Sequence, residues 1–193
     1  MAFPLIVIGT SLGGFYALKT MLRGIPGTFN APIAIVQHRD KSSGSMLRHS
    51  LQQDSALPIQ DVEDKDSIRP GHVYLAPANY HLLVEAGQFA LSTDPPVMFA
   101  RPSIDVLFES AAEVYRDRVI GVVLTGANRD GAQGLAQIKT NGGFAIAQDP
   151  QTADCPIMPE AAIAATTVDA ILSIEEIALM LVRMTASFQP VTV

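Results

Sequence analysis

The chain has 193 residues, 48% hydrophobic and 17% charged, a balance that predicts one compact domain over residues 1–193 and excludes a low-complexity or disordered protein. Its net charge of -6, without a basic cluster, argues against nucleic acid as a main partner. No apolar run reaches the roughly 20 residues of a membrane span, so direct membrane insertion is not expected. Met1-Ala2-Phe3-Pro4 lacks the pattern of a cleavable leader, and the single cysteine, Cys155, excludes an internal disulfide; both predict a cytoplasmic setting.

The first apolar run, Leu5 to Ile8, ends in Gly9-Thr10-Ser11-Leu12-Gly13-Gly14 and leads straight into a helix-forming stretch over 15–23. This predicts a buried strand, a tight turn and a helix whose N-terminus faces the strand end. Gly24-Ile25-Pro26-Gly27 stops that helix, and 31–37 reads as a second buried strand with His38 at its C-terminal edge. Ser42-Ser43 caps a helix predicted from about 44 to 53, and 57–62 reads as a third strand. Turns at Arg69-Pro70-Gly71, Pro77-Ala78-Asn79 and Glu85-Ala86-Gly87 then separate three short alternating runs, 72–76, 80–84 and 88–91. These are expected to be antiparallel hairpins added to one edge of the sheet. Regular alternation returns with a helix over 103–116, a strand over 119–124, the loop 125–131, a helix over 132–139 and a strand over 144–147. A loop over 149–159, a short helix over 160–165, a short strand over 168–171 and a closing helix over 174–184 complete the chain. Buried strands alternating with helices predict an α/β fold: a doubly wound, mostly parallel sheet with helices on both faces and an antiparallel hairpin extension.

The opening turn carries the first chemical signal. Gly9-x-Ser11-x-Gly13 between a strand and a helix matches the nucleophile elbow of serine hydrolases, where flanking glycines let the chain turn sharply enough to expose the hydroxyl. The helix behind it offers free N–H groups and a positive dipole end, which suit a developing oxyanion. In doubly wound sheets ligands bind at the carboxyl ends of the strands, near the switch in strand order. Those ends carry Ser11, His38 and, after the long central strand, Asp130. These are the residue types of a hydrolytic triad: Ser11 to attack a carbonyl, His38 to take its proton, Asp130 to hold the imidazole. Each also fits a plainer role, Ser11 and Asp130 as helix caps and His38 as a half-buried histidine. His49, inside a helix, and His72 and His81, among the hairpins, are poorer candidates. The order Ser, His, Asp differs from the Ser, Asp, His order of α/β-hydrolases and disfavours that fold. Arg39 and Arg129 stand beside the proposed triad members and at a cleft mouth would attract an acidic macromolecule. Cys155, in Asp154-Cys155-Pro156, reads as a partly buried small residue. No histidine–cysteine spacing suggests zinc, and no metal or organic cofactor is expected.

Several segments together resemble one family. Ile8-Gly9-Thr10-Ser11-Leu12-Gly13-Gly14, Gln37-His38, Pro70-Gly71-His72-Val73-Tyr74-Leu75-Ala76-Pro77, Arg101-Pro102-Ser103-Ile104-Asp105-Val106-Leu107-Phe108, Leu124-Thr125-Gly126 and Asp130-Gly131-Ala132 look like the catalytic domain of the chemotaxis protein-glutamate methylesterases, the CheB family. The resemblance runs in order over roughly 4–184. It implies hydrolysis of glutamate methyl esters on the cytoplasmic helices of methyl-accepting chemoreceptors, with deamidation of receptor glutamines as a second activity. The family's serine, histidine and aspartate fall on Ser11, His38 and Asp130. The candidate site is completed by the backbone N–H groups of Leu12 and Ala127 as the oxyanion hole, and by Thr10, Arg39, Arg129 and Met158 as substrate-contacting residues.

Three departures accompany the resemblance. Family members usually carry an N-terminal receiver domain, whereas this chain begins at the catalytic strand; the expectation is a chain competent on its own, with a separate receiver domain or chemotaxis kinase as the possible regulatory partner. The family's Thr-Gly-Met-Gly-x-Asp-Gly loop has Ala127 and Asn128 in place of its Met and second Gly, and its Gly-Met-Pro reads Ile157-Met158-Pro159. Two alternatives follow: an adaptor of the same fold with weakened turnover, and a Rossmann-type nucleotide-binding domain. The second is disfavoured because the turn lacks Gly-x-Gly at the right offset.

Overall fold

Along residues 4–38 and 46–186, the residues that the computed structural model describes, nine strands alternate with six α-helices. They run β1 (Leu5–Thr10), α1 (Gly14–Arg23), β2 (Ile33–Gln37), α2 (Met46–Gln52), β3 (Ile59–Asp61), β4 (Val73–Leu75), β5 (His81–Glu85), β6 (Gln88–Ser92), α3 (Ile104–Tyr115), β7 (Val119–Val123), α4 (Ala132–Thr140), β8 (Phe144–Gln148), α5 (Ile157–Ala165), β9 (Ala170–Leu172) and α6 (Ile174–Ala186). The capping serines predicted at 42 and 43, and the start of that helix, lie outside the described residues.

Seven strands form one parallel sheet in the order β3-β4-β2-β1-β7-β8-β9. The sheet is apolar on both faces, which is why its central strands read as unbroken hydrophobic runs. Along β1, Leu5 and Val7 point into a core built with α3, α4 and α5, while Ile6 and Ile8 point into a second core built with α1, α2 and α6. The alternation is that of a strand whose side chains leave opposite faces. No described helix is long and apolar enough to cross a membrane.

The middle of the chain departs from its expected form. Residues 73–75, grouped with the hairpins by their alternating pattern, form β4 and pair in parallel with both β2 and β3. The antiparallel hairpin does form, from β5 and β6, but as a separate two-stranded sheet. It packs on α3, where Val84 N donates to Ser110 Oγ at 3.0 Å. Buried His81 ties the same hairpin to the head of α3, accepting from Ser103 N at 3.2 Å and donating to Pro95 O. Helix α5 begins at Ile157, earlier than expected, because Pro159 falls within its first turn, where a missing N–H breaks no helical bond.

The strand order places the switch point between β1 and β7. From β1 the chain winds outward through β2 to β3 and β4, then returns to β7 on the other side. Gly9 lies level with Val36 of β2 and Val123 of β7. Ser11 and His38 therefore leave the sheet at the same height on adjacent strands, roughly 5 Å apart in the hydrogen-bonding direction. The loop after β7 leaves beside them.

Candidate active site

The turn that carries Ser11 is held from several sides. Ser11 N donates to Thr125 O at 3.0 Å, Thr10 Oγ1 to the same carbonyl at 2.8 Å, and Gln37 Nε2 to Ser11 O at 2.9 Å. Thr125 Oγ1 donates to Leu12 O and accepts from Cys155 N, so the loop after β7 is stitched to this turn. Gly13 adopts φ 79 at the head of α1, and a side chain there would meet Asp154. Gly126 presses against Ser11 itself: a Cβ on it would stand 2.6 Å from Met158 Cε and 3.0 Å from Ser11 Cβ.

Ser11 does not cap α1. The cap position belongs to Gly13, no side chain bonds there, and Ser11 Oγ has no hydrogen-bond partner among the described residues. The serine is half-buried on the wall of a cleft of about 380 Å³, lined also by Leu12, Gly13, Tyr16, Gln37 and His38. A hydroxyl held on a fixed turn and left unpaired beside a cleft is available to a substrate.

Asp130 does not cap α4 either. Its side chain is fully buried at the head of α3, where Oδ1 accepts from Ser103 Oγ and Asp105 N, both at 2.9 Å, and Oδ2 from Ile104 N at 2.7 Å. His38 Nε2 donates to the same Oδ2 at 2.7 Å. Burial tends to raise the Asp130 carboxyl, but the bond from His38 and those from the backbone of Asp105 and Ile104 outweigh it and hold the group below the usual carboxylate range. The positive end of the α3 dipole adds in the same direction. The cap of α4 is Asp105, whose Oδ1 accepts from Gly131 N at 2.9 Å and Gly134 N at 2.7 Å. Its carboxyl is pushed up to about 6, chiefly by burial and further by the negative Asp130, against the two backbone bonds.

His38 stands between these groups with its side chain 12% exposed. Its backbone N–H donates to Thr10 O at 3.0 Å, and Gln37 Nε2 reaches its carbonyl. With Nε2 committed to Asp130, Nδ1 is the nitrogen left to exchange a proton. Asn128 Nδ2 lies 3.2 Å from it.

The expected substrate-contacting residues separate in the structure. Thr10 is fully buried with its hydroxyl on Thr125 O, and Met158 is buried beneath Gly126, so neither lines the cleft; both hold the loops that do. Exposed Ile157 replaces Met158 at the surface. Arg129 is exposed and lines a second hollow of about 530 Å³ with Met98, Ile157 and Glu160. Arg39 lies outside the described residues. The N–H groups of Leu12 and Ala127 have no hydrogen-bond partner among the described residues, and both stand on the segments that meet beside Ser11. Gln37, Ser103, Asp105, Thr125 and the Asn128 side chain also take part, although the sequence alone assigns them no role at the site. The run Pro102-Ser103-x-Asp105 before an apolar stretch is the one helix-start signal that points to two of them.

The chain is similar to known proteins over most of its length. The family model described as CheB methylesterase matches residues 6–181. A Leptospira interrogans protein, provisionally named protein-glutamate methylesterase/protein-glutamine glutaminase, is 51% identical over 185 residues, covering 95% of this chain and 96% of its own. A protein-glutamate methylesterase/protein-glutamine glutaminase of Anaeromyxobacter dehalogenans is 45% identical over 89% of this chain, which spans 50% of that protein's length. The crystal structure of the Thermotoga maritima CheB methylesterase catalytic domain superposes with a TM-score of 0.90 at 33% identity, covering 94% of this chain and 98% of that one.

Proposed function

The chain belongs to the CheB methylesterase family, and from that premise we propose that it is a serine hydrolase that removes methyl groups from glutamate methyl esters on a protein substrate. The observation that carries this is the 2.7 Å pair of His38 and buried Asp130 beside Ser11, whose Oγ has no partner among the described residues, at the sheet's switch point. Ser11 Oγ attacks the ester carbonyl as His38 Nδ1 takes its proton. The tetrahedral oxyanion is met by the N–H groups of Leu12 and Ala127, helped by the N-terminus of α1. Collapse breaks the bond to methoxide, which leaves as methanol with the proton from His38. Water then attacks the acyl-enzyme by the same route and frees the glutamate. Asp130 stays ionised throughout and stabilises the imidazolium. A glutamine amide follows the same course with ammonia as leaving group.

The substrate we propose is a methylated cytoplasmic helix of a chemoreceptor. Exposed Leu12, Tyr16, Met98, Phe99 and Ile157 give a protein surface something apolar to rest on, and Arg129 offers a positive charge to an acidic helix. Regulation through a separate receiver domain or a chemotaxis kinase belongs to the same proposal. The test is methanol release from methylated receptor membranes. Ser11→Ala is expected to lose at least about a thousandfold while keeping its fold. A folded variant with near wild-type turnover would remove Ser11 from the mechanism.

A further inference from the structure

The side chain of Asn128 makes two bonds that fix its orientation. Its Oδ1 accepts from Asp130 N at 3.1 Å, and a backbone N–H can only donate. The oxygen of the carboxamide is thereby assigned, and the NH2 group must be the end that faces His38 Nδ1 at 3.2 Å. An NH2 group is a donor only, so Nδ1 must accept there and carries no proton. At the other side of the ring, Asp130 Oδ2 also takes bonds from Ile104 N and His38 Nε2, so Nε2 carries the proton. The two contacts agree on one neutral tautomer. They differ in consequence. The Asp130 bond is compatible with both the neutral and the protonated ring, whereas the Asn128 bond exists only with the neutral one. Nδ1 has a single lone pair in the ring plane, so a nitrogen occupied by Asn128 cannot at the same time accept from Ser11. This agrees with Ser11 Oγ having no partner among the described residues.

We infer that Asn128 is a positioning residue for His38: its carboxamide, braced on the backbone of Asp130, holds the imidazole neutral with Nδ1 occupied, and must swing off before that nitrogen takes the Ser11 proton. The device is local. Asn128, half-buried on a loop whose Ala127 and Arg129 are exposed, has room to turn as substrate enters. Exposed Arg129 does not provide the same contact, since its neighbour on the loop already fills the nitrogen. Among the described residues, the charged groups along the ring's hydrogen-bond network are Asp130 directly and Asp105 beyond it at the start of α3; Arg129, next on the loop, is exposed, and the β1–α1 turn presents the neutral Ser11.

The inference rests on His38 being the general base, and its test keeps the two claims apart. Ring-nitrogen NMR titrations of the four histidines, with His38 assigned by a His38→Gln variant, report its protonation independently of turnover. Asn128→Ala removes the donor that favours the neutral ring, so the midpoint of the His38 titration is expected to move up by about half to one pH unit. Asn128→Asp keeps the acceptor for Asp130 N but turns an acceptor towards Nδ1, so its midpoint is expected to move up further, by roughly one unit or more. A merely structural role would make Asp the milder change. Above the midpoint, labelling of Ser11 by a phosphonylating probe is expected to rise about two- to tenfold in Asn128→Ala, because the base nitrogen is freed. A midpoint that stays or falls in Asn128→Ala, or an Asp variant that titrates like wild type, overturns the proposal. Titrations that move as expected with labelling unchanged keep the hydrogen bond but overturn its hold on the base nitrogen; labelling that survives undiminished in His38→Gln would instead overturn His38 as the base.

Discussion

The heads of helices α3 and α4 are built alike and behave oppositely. Each is closed by a buried carboxylate from the other's neighbourhood: Asp130, just before α4, sits at the head of α3, while Asp105, in the first turn of α3, caps α4. Yet Asp130 is held below the ordinary carboxylate range and Asp105 is pushed up to about 6. Burial acts on both in the same direction, so burial is not the difference. Asp130 collects donors on both oxygens, among them the imidazole, which becomes cationic when the proton moves. Asp105 collects two backbone donors on one oxygen and faces the negative Asp130. One position is therefore furnished to keep a charge and the other to keep a helix start. The same conservative substitution at the two sites should separate them.

The largest effect is expected at Asp130. Asp130→Asn puts an NH2 group where Oδ1 or Oδ2 accepts, so it sets a donor against Ser103 and the α3 backbone or against His38. Either way the imidazole loses the partner that stabilises its cation. Turnover is expected to fall about a thousandfold or more, with the ascending limb of the pH–rate profile displaced to lower pH because an anion beside the base has gone. Methanol release followed between about pH 5 and 8 reads both. A variant within tenfold of wild type would leave Asp130 no part in the proposed chemistry.

At Asp105 the sign reverses. The folded state holds the Asp105 proton more tightly, about 6 against the ordinary value of 3.8, so between these values it binds more protons than the unfolded chain. This group's contribution to stability is therefore lost as pH rises through that window. Asn accepts from Gly131 N and Gly134 N as Asp does, without a charge to desolvate. Asp105→Asn is expected to melt a few degrees above wild type near pH 7 and to lose that advantage near pH 4. Its turnover should stay within a few fold. Equal or lower stability at pH 7, seen in thermal melts at both pH values, would mean that the uncharged side chain cannot replace the carboxylate as a cap.

Which of these residues could be read from the sequence depends on the distance over which their role is decided. Ser11 and His38 were legible because each directly follows an apolar strand, and parallel register brings adjacent strand ends level. The central strands were legible for the same reason: burial on both faces leaves an uninterrupted apolar run. Asp130 was legible as a strand-end acid, but its true neighbours were not. Its bonds to Ser103, Ile104 and Asp105 join residues 25 to 27 positions apart, and nothing local to Asp130 distinguishes that arrangement from an ordinary cap of the following helix. Thr10 and Met158, expected to contact substrate, are buried, because position in a motif does not say which way a side chain faces. The run 72–76 was misplaced because so short an alternation does not say which strand is its neighbour, and the pairing of β4 with β2 and β3 is a property of the assembled sheet.

A third variant trims one donor from the better-furnished carboxylate and is expected to leave the reaction nearly intact. Ser103 is fully buried, donates from Oγ to Asp130 Oδ1 at 2.9 Å and from its backbone to His81. Ser103→Ala removes only the first bond; the backbone tie to the hairpin and the bonds from Ile104, Asp105 and His38 remain. A hydrogen bond to a buried charge is worth about 2 kcal/mol, so the variant should be destabilised by about that amount near pH 7, read from urea midpoints. The pH dependence distinguishes this from a simple packing defect. A carboxyl held below its unfolded value contributes stability above the unfolded value, and that contribution is lost as pH falls through the folded one. With one donor fewer the depression shrinks, so the gap between Ser103→Ala and wild type should narrow as the pH is lowered into the carboxylate range. Turnover should fall only a few fold, since the pair between His38 and Oδ2 is untouched. A loss as large as that of Asp130→Asn would show instead that Ser103 positions the whole acid, and that the head of α3 is as much a part of the catalytic machinery as the histidine it faces.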